Sequence, residues 1–374
     1  MMEFVSIKIK ELEQFANSSF NLTGKHVAIT PWRAASHVRN PYARPDDVVL
    51  IYAKDEKGLI CGYIGAIPAE LDGNPGIRYI WNSCWWVKKS KSGLASGLLN
   101  ELLKIWEYRL LLSDMTERTA GIINRYCPSE IKSRIGFHIW LRSDVSNKLI
   151  RSRKKNLLNK YLKIFALSRI LSIPDSIVNF FIFPIQILKV SKFRNTGFVY
   201  SESEVLDKQD EIFMMKNTGN DISFPEKKWL NWVKNNPWLI PKTSGNQDFA
   251  SKYYFNSFAR ENKLFFLKIK KDRELKGLFL LSLRDGTLKT QFVYIDKTFK
   301  NQIIECFINY IMRGYKFKDL ITFNPMITEY LQEIKMPLVR KRKITRFYLV
   351  SNPVSLFTGK DFTMQDGSGD YIFT

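Results

Sequence analysis

The sequence of 374 residues predicts an α/β protein made of two tandem units, each a mixed, mostly antiparallel sheet flanked by helices. Three observations favour this fold class. The stretch 78–103 changes from β-favouring residues to helical periodicity. Two apolar runs separated by a charged turn precede it, as in a strand meander. The same order of features returns between 271 and 311 and indicates an internal repeat.

The composition is that of a globular protein with a strong basic excess. Hydrophobic residues make up 45% and charged residues 25%, and the net charge is +22. Such a charge attracts nucleic acid, an anionic membrane surface or an acidic small molecule. No RNA-recognition or helix-turn-helix signature is present and most aromatic residues lie in apolar runs, so we expect no nucleic-acid partner.

Cysteine usage and the first residues of the sequence predict an intracellular setting. The four cysteines form no CxxC pair and there are only three histidines, so neither a disulfide framework nor a metal site is expected. The first ten residues interleave charge with apolar residues, where a signal peptide would need a continuous apolar core. We therefore expect a cytoplasmic protein.

The first unit opens with a predicted meander. Val48–Ala53 and Leu59–Ala66 have the composition of strands, and the charged turn Lys54–Gly58 joins them. A third strand, rich in tryptophan, runs to Val87, and helical spacing of leucines begins after Gly93. The order is strand, turn, strand, strand, basic loop and helix.

The basic loop between the third strand and the helix predicts an anion site. It carries Lys88, Lys89 and Lys91, followed by the small residues Ser92 and Gly93. Small residues at a helix N-terminus let backbone N–H groups approach a pyrophosphate closely. The alternative is an ordinary solvated turn.

The features that follow complete a recognisable order. Tyr108–Leu112 has a strand composition, a helix is predicted over 120–133, and Gly136-Phe137 follows. This order resembles the GNAT acetyltransferase superfamily, whose loop pattern ends in Gly-x-Gly/Ala. Gly93-Leu94-Ala95 matches that ending, whereas Ser90 stands where the family has Arg or Gln. The resemblance implies acetyl-CoA or another acyl-CoA as cofactor, bound by Trp85, Trp86, Val87, Lys88, Lys89, Lys91, Ser92, Gly93, Leu94 and Ala95.

Catalytic groups are less well defined by the sequence. Many members of the resembling family have a Tyr five residues before the Gly-Phe pair, to protonate the leaving thiolate, but Ile131 occupies that position here. Tyr126 and Cys127, on the same predicted helix, are the substitute candidates for the acid, and Tyr126 is preferred. Glu70, Asp72 and His37 are candidates for the base, with a surface or structural role as the alternative for each.

The second unit repeats features of the first. Trp32 precedes Asn40-Pro41 in the first unit, as Trp229 and Trp232 precede Asn236-Pro237 in the second. Stacking and hydrogen bonding to a sugar acceptor could come from these segments, although tryptophans are more often core residues. The candidates for acceptor binding are Trp32, Arg39, Asn40, Trp229 and Trp232.

The second unit lacks a comparable anion loop. Its turn, Asp296–Asn301, contains an acid and a bulky Phe and has no glycine. We therefore expect one acyl-CoA per chain, in the first unit. The predicted domains are 1–150, which binds acyl-CoA, and 196–374, which does not.

The segment 151–195 between the units is basic at its start and apolar in its middle. Pro174 and Pro184 interrupt the apolar run, and a membrane-spanning helix needs ~20 continuous apolar residues. We interpret the segment as a helical connector. The alternative is an interfacial segment that contacts the inner face of an anionic membrane.

The last part of the sequence adds a basic run and an acidic, glycine-rich end. Arg340–Lys343 precede a predicted strand over 344–350, and Asp366-Gly-Ser-Gly-Asp370 is expected to form a tight turn before a final strand. The whole pattern resembles double-GNAT proteins of surface-polysaccharide biosynthesis. It implies acyl transfer to an amino sugar or related glycan precursor. Alternatives are a catalytically silent binding protein and an aminoacyl transferase acting on a lipid-linked cell-wall precursor.

Overall fold

The computed structural model describes most of both predicted units. The described residues are 3–71, 76–142, 183–184, 197–219, 221, 226–241, 251–255, 258–314, 316–333, 340–358 and 363–373. Asp72 and the predicted connector 151–195, apart from residues 183–184, lie outside them. No helix in the described part is long and apolar enough to cross a membrane.

The first repeat comprises six strands and five helices among the described residues. Its strands are β1 Glu3–Lys8, β2 Val48–Lys54, β3 Ile60–Glu70, β4 Arg78–Val87, β5 Leu110–Met115 and β6 Ser129–Trp140. Its helices are α1 Ile9–Asn17, α2 Ser19–Thr23, α3 Pro31–Val38, α4 Leu94–Ile105 and α5 Glu117–Tyr126. A 3₁₀ turn, Lys89–Lys91, lies between β4 and α4.

The second repeat follows the same order. Its strands are β7 Phe198–Ser203, β8 Ile240–Pro241, β9 Phe258–Ala259, β10 Asn262–Lys271, β11 Glu274–Arg284, β12 Thr287–Ile295, β13 Asp319–Thr322 and β14 Arg340–Ser351. Its helices are α6 Lys208–Asn217, α7 Lys227–Asn235, α8 Lys300–Arg313, α9 Pro325–Glu333 and α10 Asn352–Thr358. A 3₁₀ turn, Lys297–Phe299, precedes α8 as the one at Lys89–Lys91 precedes α4.

Within the described residues, twelve strands form one sheet in the order β1-β2-β3-β4-β5-β14-β6-β13-β12-β11-β10-β7. Its neighbours are antiparallel except for β4 with β5 and β12 with β13. The order reads the same from both ends, because each repeat contributes a meander, a parallel pair and a last strand. The predicted fold class, a mixed α/β protein with a mostly antiparallel sheet flanked by helices, is confirmed.

The last strands of the two repeats are exchanged. β14 lies between β5 and β6, and β6 pairs with β13. The register of β6 with β14 is unbroken from Ser129↔Ser351 to Trp140↔Arg340. The two repeats therefore share one sheet, and the strands that join it belong to both.

Apolar helix faces cover the sheet where the leucine and isoleucine spacing predicts them. Leu98 and Leu102 of α4 pack with Leu110 of β5, and all three are buried. In the second repeat, Ile303 and Phe307 of α8 lie in the equivalent cluster. A further cluster between the repeats contains the tryptophans of α7 together with β4, β11 and β12.

Two predicted elements differ from the structure. The helix expected over 120–133 ends at Tyr126, and 129–140 is strand, because Pro128 disfavours helical geometry at Cys127. The final strand expected after Asp370 is a 3₁₀ helix, Gly369–Phe373. Both errors fall beside the candidate site.

Candidate active site

β4 and β5 run side by side only where they begin. Ile80 pairs with Leu110 and Trp81 with Leu111, and beyond these residues the two strands are not paired. β4 remains bound to β3, and β5 remains bound to β14, so the sheet continues on both sides of the gap. We call this gap the first splay.

A β-bulge shapes the β4 side of the first splay. The register with β3 passes from Asn82↔Ala66 to Cys84↔Gly65, which leaves Ser83 as the extra residue. A guanidinium N–H of buried Arg33 donates a hydrogen bond to the Ser83 carbonyl. Bulges disrupt the ladder locally and redirect the strand, and they are common beside active sites.

A cavity of about 660 Å³ opens in the first splay. Its lining comes from β4, β5, α5 and β14, together with Thr116 between β5 and α5 and two residues from elsewhere, Phe255 and Asp370. Trp85 and Ser113 line the cavity, and a buried polar atom of each side chain, Trp85 Nε1 and Ser113 Oγ, has no hydrogen-bond partner among the described residues. Buried polar groups without partners are rare and costly, so these two atoms favour a polar ligand here.

The basic loop lies at the far end of the same strand. Lys88 and Lys89 are exposed, and no described carboxylate forms an ion pair with either. Gly93 is the N-cap of α4, and a Cβ atom placed on it would meet nothing within 4 Å. The loop therefore joins unpaired cations, a helix N-terminus and open space, and these features suit a pyrophosphate. Acyl-CoA carries a pyrophosphate, and the residues of this loop fit that group.

The second repeat has the equivalent gap between β12 and β13, which we call the second splay. The strands pair from Thr287↔Asp319 to Lys289↔Ile321 and then separate. β12 also carries the equivalent bulge, because its register with β11 passes from Thr290↔Leu281 to Phe292↔Leu280 and leaves Gln291 as the extra residue.

The protein itself fills the second splay, with residues of the segment Thr363–Phe373, here called the tail segment. Gly367 N donates to the Gln291 carbonyl at 2.7 Å, and Val293 N donates to Gln365 Oε1 at 2.7 Å. Asp366 Oδ2 accepts a hydrogen bond from Phe323 N at 2.7 Å. The tail segment thus satisfies backbone groups of β12 and of Phe323, the residue directly after β13.

The tail segment then crosses to the first splay. Gly369 has φ +74°, and a Cβ atom on it would lie 2.8 Å from the Trp81 ring and 2.9 Å from Ser113 Oγ. Only glycine fits between the two strands at this point. The next residue, Asp370, lines the cavity, so the tail segment supplies part of the wall of the first splay.

The candidates for acid and base do not line this cavity. Glu70 lies at the end of β3, and its Oε1 atom is 3.6 Å from Nη2 of Arg44. His37 is buried and stacked on Trp238, and burial lowers its pKa to about 3, so it is neutral at physiological pH. Tyr126 is 41% exposed at the end of α5.

The candidates for acceptor binding lie where α3 meets the second repeat. Trp32 Nε1 donates to the Trp238 carbonyl, and Trp232 Nε1 donates to the Ser36 carbonyl. Asn40 donates to the Pro68 carbonyl and is buried. Trp229 is buried in the cluster between the repeats, and Arg39 is exposed. None of these five lines the cavity in the first splay.

Of the ten residues predicted to bind the cofactor, Trp85 lines the cavity. Trp86 contacts the rings of His26 and Tyr63 instead. The remaining eight lie in the strand end, the basic loop and the first turn of α4: Val87, Lys88, Lys89, Lys91, Ser92, Gly93, Leu94 and Ala95.

Sequence reasoning missed Asp370. Its neighbours Gly367 and Gly369 predict a turn. Nothing in the local pattern indicates that this turn contacts β4 and β5, which are more than 250 residues earlier in the sequence. Burial raises the pKa of Asp370 to about 7, although the nearby positive charge of Arg33 acts in the opposite direction.

Comparison with known proteins gives structural similarity only. No protein-family model and no curated protein sequence matches the chain. A tandem GNAT protein from the clavulanic acid biosynthesis pathway is similar in structure, with 10% identity, a TM-score of 0.45, and coverage of 94% of this chain and 98% of that one. A probable N-acyltransferase from Enterococcus faecalis is also similar, with 9% identity, a TM-score of 0.49, and coverage of 96% of this chain and 74% of that one. N-myristoyltransferase from Saccharomyces cerevisiae with bound myristoyl-CoA has 12% identity and a TM-score of 0.46, with coverage of 93% of this chain and 82% of that one.

Proposed function

We propose that the protein is an acyl-CoA-dependent acyltransferase of the GNAT type, and that it transfers an acetyl or related acyl group to an amine or hydroxyl of an amino sugar or related polysaccharide precursor. The observation that carries this proposal is the first splay, where an open cavity, a bulged strand and a basic loop before α4 follow one another along β4. Acyl-CoA would supply the activated thioester.

The residues of the first splay have separate tasks in this proposal. Lys88, Lys89 and Lys91 bind the phosphates together with the N-terminus of α4. Trp85 Nε1 and Ser113 Oγ donate hydrogen bonds to the amide or carbonyl oxygens of the acyl-bearing arm. The bulge at Ser83 directs β4 toward the reacting carbonyl, and such pre-arranged donors lower the barrier to acyl transfer.

The second repeat has a different task. Its splay is occupied by the tail segment, so we assign one acyl-CoA to each chain. The repeat instead contributes residues to the acceptor side of the cavity. This assignment agrees with the domain prediction, in which 196–374 binds no CoA.

A group of cations around Tyr371, outside the lining of the cavity, is the second support for an acceptor that carries phosphate. Lys289 Nζ lies 4.2 Å and Arg346 Cζ 3.7 Å from the centre of the Tyr371 ring, which follows Asp370 directly. Burial, with the charges of Arg346 and Arg284, lowers the pKa of Lys289 to about 8. The positive charge of this group would attract an anion on the acceptor. Nucleotide-linked and lipid-linked sugars have such an anion.

Titration calorimetry and a thiol-release screen test the proposed function together. We expect one acetyl-CoA per chain, and release of free thiol with amino sugars or phosphate-linked amino sugars. Two equivalent sites would contradict the role given to the tail segment. Turnover confined to peptides or polyamines would contradict the sugar acceptor, and CoA binding without any turnover would favour a binding protein.

A further inference from the structure

We propose that the Asp370 carboxylate, delivered by the tail segment, is the proton acceptor for the acceptor nucleophile in the first splay. This proposal rests on the proposed acyl transfer and adds a catalytic residue to it. Three features support it: the fixed position of the backbone, the absence of an ion-pair or hydrogen-bond partner for the carboxylate in any other described residue, and the chemistry that the cavity allows.

The backbone at Asp370 is fixed from both sides. Gly369 is wedged between Trp81 of β4 and Ser113 of β5, at the place where these strands separate. On the other side, Ile372 and Phe373 are buried, and Phe373 stacks on Trp238 with ring centres 4.1 Å apart. Two anchors flanking a residue restrict its position, as a catalytic group requires.

The carboxylate is deep in the cavity and accessible from it. Asp370 is half-buried and lines the cavity, and no other described residue forms an ion pair or a hydrogen bond with its carboxylate. The other two acids on the wall differ from it: Asp114 is 54% exposed and lies 3.7 Å from Arg346 Nε, and Glu117 is exposed. Asp370 is therefore the sheltered carboxylate of this cavity.

The charged and titratable groups around Asp370 come from several elements. They are Arg33 of α3, Cys84 of β4, Asp114 of β5, Glu117 of α5 and Arg346 of β14. Burial outweighs the two arginines and raises the pKa of Asp370 to about 7. A base with a pKa near the working pH combines a useful ionised fraction with a strong affinity for the proton.

In the proposed acyl transfer the acceptor is an amine. The nitrogen forms a bond to the acyl carbon, the carbon–sulfur bond breaks, and one proton passes from the nitrogen to the Asp370 carboxylate. CoA leaves as a thiolate that takes a proton from water, and Asp370 returns its proton to water. The net products are the amide and the free thiol.

Asp370→Asn tests the assignment, with Asp46→Asn, at an exposed acid outside this cavity, as the control. The readouts are the acetyl-CoA Kd, the melting temperature, and kcat/KM for a nucleotide-linked amino sugar between pH 5.5 and 9. We expect Asp370→Asn to lower kcat/KM about 100-fold or more, as is typical for loss of a general base. The Kd should change less than threefold, and Asp370→Glu should restore part of the activity.

The pH profile separates a catalytic role from a structural one. In the unaltered protein and in Asp46→Asn, kcat/KM should rise with pH through an inflection near 7, because the ionised carboxylate is the active form. The residual activity of Asp370→Asn should lack this inflection. If kcat/KM of Asp370→Asn were within threefold of the value for the unaltered protein, or showed the same inflection, the assignment would be overturned and the proposed function would remain intact. Absence of turnover in the unaltered protein would overturn both.

Discussion

The two splays are built alike and filled differently. Each lies between parallel strands that separate after two or three paired residues, and each has a bulge, at Ser83 in the first and Gln291 in the second. The first is open to a cavity of about 660 Å³. In the second, Gln365 and Gly367 form hydrogen bonds with the backbone of β12. Splayed strands leave backbone groups unpaired, and these groups need a partner from elsewhere.

The difference shows how one fold can serve two purposes within a chain. In the second repeat the partner is the tail segment of the same chain, so the gap is closed and the repeat stabilises the sheet. In the first repeat the gap stays open and is available to a ligand. The tail segment connects these outcomes, because it closes one gap with Asp366 and borders the other with Asp370.

The largest expected effect is on the closed gap. Asp366 is 4% exposed at its side chain, accepts a hydrogen bond from Phe323 N, and lies 3.5 Å from Arg134. Asp366→Ala should lower the free energy of unfolding by about 3–5 kcal/mol, because it leaves a partly buried arginine and a backbone donor without their acceptor. Chemical denaturation measures this. Asp46→Ala, which removes an exposed ion pair with Lys10, should change stability by less than about 0.5 kcal/mol. Equal effects would mean that Asp366 does not hold the gap closed.

The next effect concerns the wedge between β4 and β5. Gly369→Ala places a methyl group against Trp81 and Ser113 at φ +74°. We expect a loss of about 2–4 kcal/mol, from the left-handed backbone and the overpacking together, and reduced turnover because Asp370 is displaced. Gly58→Ala provides the control, since Gly58 has φ +72° with nothing within 4 Å of its Cβ position, and it should cost only about 1–2 kcal/mol. If thermal melting shows no difference between the two variants, the wedge is not tight.

The smallest effect compares the two 3₁₀ turns. Lys89 and Lys297 are exposed and occupy the same position, the first residue of the turn before α4 and α8 respectively. Lys89→Glu should weaken acetyl-CoA binding about tenfold at low salt, since one exposed charge pair contributes on the order of 1 kcal/mol. Lys297→Glu should leave the Kd unchanged in calorimetry. A salt-independent loss for Lys89→Glu would indicate a structural cause, because exposed charges are screened.

Local patterns were sufficient to predict most of the fold. The charged turn after Val48–Ala53, the aromatic strand to Val87 and the leucine spacing after Gly93 are all short-range signals, and the structure has β2, β4 and α4 at these places. The repeat was also visible, because Trp32 with Asn40-Pro41 and Trp229 with Asn236-Pro237 mark α3 and α7 and the turns that follow them.

The site depends on long-range contacts, which no short pattern encodes. Asp370 reaches the first splay because Gly369 fits between Trp81 and Ser113, more than 250 residues away in sequence. His37 and Glu70 were plausible by residue type, but packing places one against Trp238 and the other beside Arg44. Residue type indicates which chemistry is possible, whereas tertiary packing decides which carboxylate is sheltered.

The exchange of β6 and β14 affects how the chain reaches its native state. One edge of β5 pairs with residues 347–350 of β14, which are more than 230 positions later in the sequence. During synthesis this edge of the first repeat therefore stays unpaired until most of the chain has been made. Pairings over such separations form slowly, and unpaired edges invite association with other chains. A fragment that ends before β14 would keep that edge permanently. We therefore expect the two repeats to fold together, because each supplies a strand to the part of the sheet that the other builds.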